Sequence, residues 1–435
     1  MKKLFILCSF FLWISCAKKD TFVAVLQPSD IERVVQQMTD VMIHDITNPP
    51  LAARFFAYSC LAAYEVVALH DSTFLSLSGK LNEFPEIKRP KGSGEIHKDI
   101  SALLAFYETA KVLQPSGKLM GEWEQIWIDS LLNMGVSEKI MKYSLDFAKE
   151  VSVQILKYAK EDRYNKMSAF PRYTPRNTEG TWYPTPPGYF PPVEPYFNTI
   201  RSFTLDRPDQ FKPEPPISFS ADKKSPFYTL MSEIKNLSLS QEQKEIAAFW
   251  DCNPFALFDN GHLLVGMKKI SPGAHWMGIV NIACKKADIS FAKAIQVNTV
   301  LAIGLMDGFQ SCWDEKYRSN RIRPETAIRK YLDPKWTPFL QTPPFPEYLS
   351  GHSTISSVSA VILTHFFGNQ FKYKDTVEER YGLKARNYDS FEQAASEAGI
   401  SRFYGGIHFM DAIENGQKQG VQVGNHVLKK IFPSF

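Results

Sequence analysis

The chain carries no strong charge of either sign. Its 50 Lys and Arg against 46 Asp and Glu leave a formal charge of +4, with the basic residues spread out. That balance excludes the basic footprint of a nucleic-acid binder. Internal repeats and low-complexity blocks are also missing, which excludes solenoid and propeller architectures. After residue 20 no apolar stretch reaches about 18 residues. The run from Val297 to Met306 is cut by Asp307, and Val358 to Phe367 is short and contains His365. The mature chain is therefore not expected to span a membrane. Cysteine is scarce: beyond Cys8 and Cys16 only Cys60, Cys252, Cys284 and Cys312 remain, far apart and without metal-ligand spacing. This reads as buried free thiols rather than a disulfide framework, with room for one pair in an exported chain.

What is present is ordinary globular material: 435 residues, 44% hydrophobic and 22% charged. That length supports one large domain or two closely packed halves. The first residues form a targeting segment. Met1-Lys-Lys precedes an apolar core, which ends at Ser15-Cys16. The order resembles a bacterial lipoprotein signal, with Cys16 as the lipidated N-terminus of an exported chain. Membrane contact is then expected only through that anchor.

Helical patterns dominate the rest. Ser29 reads as an N-cap for a helix over 30–45, followed by an apolar helix over 51–69 that opens on Pro49-Pro50. Further helical patterns cover 96–112, 118–133 and 137–158. From Pro171 to Pro216 the chain holds twelve of its 28 prolines, interleaved with Trp182, Tyr183, Tyr189, Phe190 and Tyr196. Neither helix nor strand survives that proline density, and the aromatics argue against a floppy linker. The expectation is a long ordered wrap that either lines a site entrance or straps two bundles together. Helices return with a capping box at Ser240-x-x-Gln243, then over 272–286 and 290–317. The expected organisation is a signal segment over 1–16, an N-terminal helical half over 17–170, a connector over 171–220 and a C-terminal bundle over 221–435. The fold class is all-α, two packed helical bundles.

The chemistry concentrates in Phe345-Pro-Glu-Tyr-Leu-Ser-Gly-His352, a proline-broken loop that opens an apolar helix over 353–367. A Ser-Gly at a helix start presents a hydroxyl and free amides to an oxyanion, aided by the helix dipole. Taken alone, Ser350 reads equally as an N-cap and nothing more. Upstream lies Lys316-Tyr-Arg-Ser-Asn-Arg-Ile-Arg323-Pro324, and downstream Ser401-Arg402-Phe-Tyr-Gly-Gly-Ile-His408. Together these offer three cations, Lys316, Arg323 and Arg402, neutral donors at Ser350 and Gly351, and two imidazoles. That inventory suits a tetrahedral oxyanion.

Lys-x6-Arg-Pro, Ser-Gly-His and Ser-Arg-x5-His in this order resemble the three-part signature of vanadium-dependent haloperoxidases and type 2 phosphatidic acid phosphatases. Leu349 stands where the usual motif has proline, and Asp411 follows the last histidine at i+3 where the phosphatase pattern has i+4. The resemblance implies a mostly α-helical fold and a bound vanadate. It implies that His408 is the direct ligand through Nε2, or the phosphorylated nucleophile in a phosphatase. Lys316, Arg323, Arg402, Ser350 and Gly351 would neutralise the equatorial oxygens, and His352 would act as acid–base at the apical position. Trp313 and Phe345 stand where halide-oxidising members place pocket-lining rings, although either also suits ordinary core packing. Asp307 is expected to orient an arginine or to face solvent. His275 reads as a structural histidine. The resulting expectation is an exported haloperoxidase that oxidises iodide, and bromide as an extra, with hydrogen peroxide. The same residues also fit a lipid-anchored acid phosphatase with a phosphohistidine intermediate, or an oxyanion-binding protein without turnover.

Overall fold

The computed structural model describes residues 24–433, except residues 93 and 260. The segment carrying Cys16 lies outside the described residues. Thirteen α-helices account for most of the described chain. The N-terminal half holds α1 (Pro28–His44), α2 (Pro49–His70), α3 (Lys98–Leu113), α4 (Lys118–Asn133) and α5 (Glu138–Lys160). The C-terminal part holds α6 (Pro226–Lys235), α7 (Gln241–Phe249), α8 (Pro272–Lys286), α9 (Phe291–Ser319), α10 (Pro324–Tyr331), α11 (Gly351–Phe367), α12 (Phe391–Tyr404) and α13 (Met410–Ile431). Two three-residue hairpins, β1 (Leu257–Asp259) with β2 (Leu264–Gly266) and β3 (Tyr373–Asp375) with β4 (Arg386–Tyr388), are the sheet among the described residues. Strands this short carry too few residues for alternation to reveal them in the sequence.

Local signals set most helix ends. Asn48 caps α2 ahead of Pro49 and Pro50, whose fixed φ suits a first turn. Ser240 and Gln243 close the expected capping box on α7. At α1 the cap is Gln27, not Ser29: the helix starts two residues earlier, with Pro28 in the first turn and Asp30 accepting from the Gln27 amide. Helix α2 is apolar nearly all round, and it alone among the described residues is long and apolar enough to cross a membrane. In this fold 89% of its apolar window is buried by protein, so it is the core helix of the N-terminal half. It packs on α3, α5 and α9, and through α9 one apolar core runs from Ala24 to Ile431.

The proline-rich connector is ordered, with one short 3₁₀ turn at Phe197–Thr199. It straps the end of α9. Trp182 donates its amide to the Asn320 carbonyl, Ile322 donates to Gly180, and Val193 donates to Pro344. Asp307, buried in α9, anchors it further by accepting from the amides of Phe203 and Thr204 and from the Thr204 hydroxyl, at 2.6–2.8 Å. Both expectations for Asp307 are overturned. It orients no arginine and does not face solvent; a buried carboxylate here satisfies backbone donors that prolines leave without regular partners.

Helices α9, α11 and α13 meet closely because glycines line the crossings. A Cβ on Gly304 or Gly308 would press on Val358 of α11, and one on Gly416, Gly420 or Gly424 would press on the backbone of α11. At Gly420 the added atom would fall on the Thr354 carbonyl. Gly420→Ala is therefore expected to destabilise the protein by about 1–3 kcal/mol, the usual cost of overpacking. Gly266→Ala, where nothing lies within 4 Å, should be close to neutral. Denaturant unfolding of both variants checks this, and an equal effect from the two would refute it.

Candidate active site

Four segments converge at the N-terminus of α11. The last turn of α9 brings Lys316 and Trp313. Arg323 follows as the residue before Pro324, which opens α10. Its extended backbone, which a following proline favours, turns the guanidinium back toward α11. The loop over 341–350 carries Phe345 and Glu347 and ends on Ser350, the N-cap of α11. The last turn of α12 brings Arg402, and the Gly405-Gly406 turn, with Gly406 at φ +71°, leads the chain to His408 just before α13. A side chain at Gly406 would be strained by that φ, which explains a glycine at this point.

A small cavity of about 30 Å³ lies where they meet, enough for one compact ion or a water or two. Trp313, Phe345, Gly351, His352, Arg402 and His408 line it, together with Cys252, Asn253 and Phe255. His408 is fixed from both sides. Its Nδ1 lies 2.9 Å from Glu347 Oε1, and its Nε2 lies 3.1 Å from Arg323 Nη1. A carboxylate only accepts, so Nδ1 carries the proton and Nε2 keeps its lone pair. Glu347 also accepts from the Phe409 amide and pairs with Arg321, which in turn forks onto Asp411 at 2.5 and 2.8 Å. Arg323 is held by the carbonyls of Phe345 and Ile407, leaving Nη2 buried without a partner. His352 Nε2 is likewise buried and unpartnered. Lys316 is fully buried, with its ammonium on the carbonyls of Pro346, Glu347 and Leu349. The Phe345 ring stands 5.0 Å from both Lys316 and Arg323, and 4.9 Å from Trp313.

Buried charge of one sign dominates the electrostatics. Burial pushes the Lys316 ammonium down to about 7; Arg323 and Arg321 add to this, against pulls from Cys312 and Glu347. Burial also lowers Arg323, to about 10, and lowers Arg402. His408 is held well below the usual imidazole range by burial and by Arg323, Lys316 and Arg402. His352 is lowered in the same way by burial, Arg402 and His408. Both imidazoles are thus neutral without an anion, and an anion in the cavity would raise their basicity.

Comparison with known proteins agrees. Residues 296–433 match the family described as the VCPO second helical-bundle domain. No curated protein matches the sequence. Among solved structures, a bacterial vanadium-dependent iodoperoxidase is 40% identical, with a TM-score of 0.88 over 94% of this chain and 97% of that one. The chain belongs to the vanadium-dependent haloperoxidases. Two structures of bacterial vanadium-dependent chloroperoxidases, holo and apo, share the fold at 14% and 16% identity, both with TM-score 0.65. They cover 94% and 89% of this chain, and it covers 93% and 96% of theirs.

The residues present fit the vanadate that a vanadium-dependent haloperoxidase uses. His408 Nε2 presents a lone pair, Arg323 Nη2 an orphaned donor and His352 Nε2 an unpartnered ring nitrogen, and with three buried cations nearby they form a set that an oxyanion satisfies. Of the expected residues, Gly351, His352, Arg402, His408, Trp313 and Phe345 line the cavity, and Arg323 touches it through His408. Two are placed differently from the expectation. Ser350 does not line the cavity and serves as the α11 N-cap, its hydroxyl accepting from the Ser353 amide at 3.3 Å and from the Ser353 hydroxyl at 2.9 Å with its own O–H left to donate. Lys316 faces loop carbonyls rather than the hollow, because an unpaired buried ammonium takes the nearest acceptors. Asp411 serves Arg321 and does not touch His408.

Sequence reading missed Glu347 and Arg321. Both lie inside the quoted motifs, but a carboxylate in a cationic site carries no spacing signal of its own. Removing Glu347's charge should loosen His408: outer-sphere partners of a ligating histidine are typically worth 10–100-fold in affinity or activity. Glu347→Gln is expected to lose that much vanadate affinity while still folding, and unchanged vanadium content at limiting vanadate would refute the role. Lys316 gives a pH test. Its folded value near 7 lies below the ordinary 10.5, so the folded chain binds fewer protons between those limits and stability rises with pH across that window. Lys316→Met should flatten the rise, measured as unfolding free energy of the anion-free protein from pH 7 to 10.

Proposed function

We propose that this haloperoxidase oxidises iodide, and bromide less readily, with hydrogen peroxide to give hypohalous acid. The observation that carries the halide is the 40% identity, over almost the whole chain, to a bacterial iodoperoxidase. The cavity wall supports it. Trp313 and Phe345 form an aromatic face that helps keep the cavity dry. Iodide gives up electrons most easily among the halides, so it demands the least further hydrogen bonding. When bound, vanadate supplies a Lewis-acidic centre for peroxide that does not itself change oxidation state.

The chain's own groups have divided roles in this reading. His408 presents Nε2 as the ligand, oriented by Glu347. Lys316, Arg323 and Arg402, with the Gly351 amide, neutralise the oxyanion's charge, and Ser350 keeps that amide in place as the cap. His352 gives and takes the proton at Nε2, the atom left without a partner. Phosphomonoester hydrolysis by the same residues is the competing outcome. The reading extends to location: the Ser15-Cys16 signal supports export and a lipid tether at Cys16. An unmodified mature N-terminus elsewhere, seen by mass spectrometry, would remove that part.

Side-by-side assays test the function. Vanadate-loaded protein is expected to oxidise iodide with peroxide and to leave chloride nearly untouched. His408→Ala should lose bound vanadium and all activity. His352→Ala should keep vanadium but lose about 10²–10⁴-fold in turnover. Brisk phosphomonoester hydrolysis by the vanadium-free protein, with iodide left intact by the loaded form, would overturn the proposal.

A further inference from the structure

Behind the cavity lies a second cluster that the reaction above does not use. Cys252 follows α7, His275 sits in the first turn of α8, Asp375 ends β3, and Glu378 lies three residues on. All four are buried. His275 Nε2 lies 2.8 Å from Asp375 Oδ2. Its Nδ1 lies 3.0 Å from Glu378 Oε1 and 3.5 Å from Cys252 Sγ, and that sulfur lies 3.8 Å from the same Glu378 oxygen. Ligand atoms of Cys252, His275 and Glu378 all fall within 4.8 Å of one another.

An ion pair alone explains only part of this. Two carboxylates on one imidazole would hold it as imidazolium, but that leaves the Cys252 thiol as a weak donor at the edge of a charged cluster. The triangle of sulfur, nitrogen and oxygen suggests more. A tetrahedral zinc with bonds of about 2.0–2.2 Å to nitrogen and oxygen and about 2.3 Å to sulfur spaces its ligands roughly 3.3–3.6 Å apart. The observed edges bracket that range. Asp375 on the far ring nitrogen is the outer-sphere carboxylate that ligating histidines usually have, and it fixes the tautomer that frees Nδ1. Thiolate, imidazole and carboxylate together suit zinc better than magnesium or calcium. Cys252 also lines the oxyanion cavity, so the two clusters adjoin.

The geometry points to a zinc-type divalent cation site made by Cys252 Sγ, His275 Nδ1 and Glu378 Oε1, oriented by Asp375 and leaving the fourth position to water. Binding forms three metal–ligand bonds and releases two protons, one from the thiol and one from Nδ1. The cation ties the segment after α7 to α8 and to the turn beyond β3. Trp250 stacks on His275 at 4.6 Å, and its backbone hydrogen-bonds His352, so the tie supports the wall behind the acid–base histidine. None of this depends on which halide is oxidised.

The test uses the full-length protein stripped with a chelator and titrated with Zn²⁺ or Co²⁺. One equivalent of Zn²⁺ is expected, and Co²⁺ should give tetrahedral d–d bands with a thiolate charge-transfer band. Cys252→Ser, nearly isosteric, should abolish the charge-transfer band, and Glu378→Gln should weaken Zn²⁺ binding at least ~10-fold. A native far-UV circular-dichroism spectrum and a cooperative unfolding transition in each variant show that it is folded. Absence of stoichiometric Zn²⁺ uptake by the wild-type chain, or uptake unchanged in both variants, overturns the site. If Cys252→Ser fails to fold, the wild-type Co²⁺ spectrum decides: a tetrahedral spectrum with the thiolate band supports the site, and its absence overturns it.

Discussion

Positive charge buried around a hollow is the constraint on which the rest of this structure depends. Lys316, Arg323 and Arg402 are each essentially removed from water. Burying an unpaired ion costs several kcal/mol even after the protein relaxes. Among the described residues Glu347 acts on Lys316 and Arg323, and Asp251 on Arg402, but Glu347 is shared with Arg321 and His408 and Asp251 with Lys269. The balance left over is positive, and backbone carbonyls and aromatic faces only soften it. An oxyanion of matching size removes the deficit at once. Affinity for such an anion is therefore released strain as well as new contact.

Holding that arrangement requires a rigid frame, and the frame explains features that otherwise look unrelated. The glycines on α9 and α13 let three helices approach closely enough to bring the first turn of α11 between Lys316 and His408. The connector does not form a regular element, yet it is clamped by Asp307 and by paired backbone contacts to 320–322 and to Pro344. The Val193 carbonyl accepts from both the Trp313 indole and the Tyr317 hydroxyl. The segment thus fixes the aromatic wall beside the cations. A wider cavity of about 810 Å³, lined by Tyr164, Tyr173 and the connector, reaches Phe255 on the edge of the site. The connector is a strap, and it also lines this wider cavity.

The two clusters share a wall but differ in sign. The oxyanion site gathers cations and neutral imidazoles. The cluster of Cys252, His275, Asp375 and Glu378 gathers acceptors, and burial of its imidazole's charge is outweighed by Asp375, Cys252 and Glu378, which hold His275 well above the usual range. Opposite fields a few side chains apart keep each histidine in its own protonation state. His352 lies on the cationic side and stays neutral until an anion arrives.

Much of this was legible in the sequence. Periodicity and proline placement read out the helices, because those signals are local: α4 matches its expected range and α2 differs only at its ends. Three short motifs, each rigid in spacing, announced the cations and both histidines, since a loop–helix junction fixes those residues without help from elsewhere. What the sequence left open is of another kind. Glu347 orients His408 across 61 residues, and Asp307 holds the connector across more than 100. Cys252, His275 and Glu378 meet across as many as 126 residues. Acidic and thiol side chains carry no periodic signature, so their partners are chosen only when helices pack. Tertiary structure decided those pairings because burial makes any unpartnered charge costly, and close packing determines which partner lies within reach.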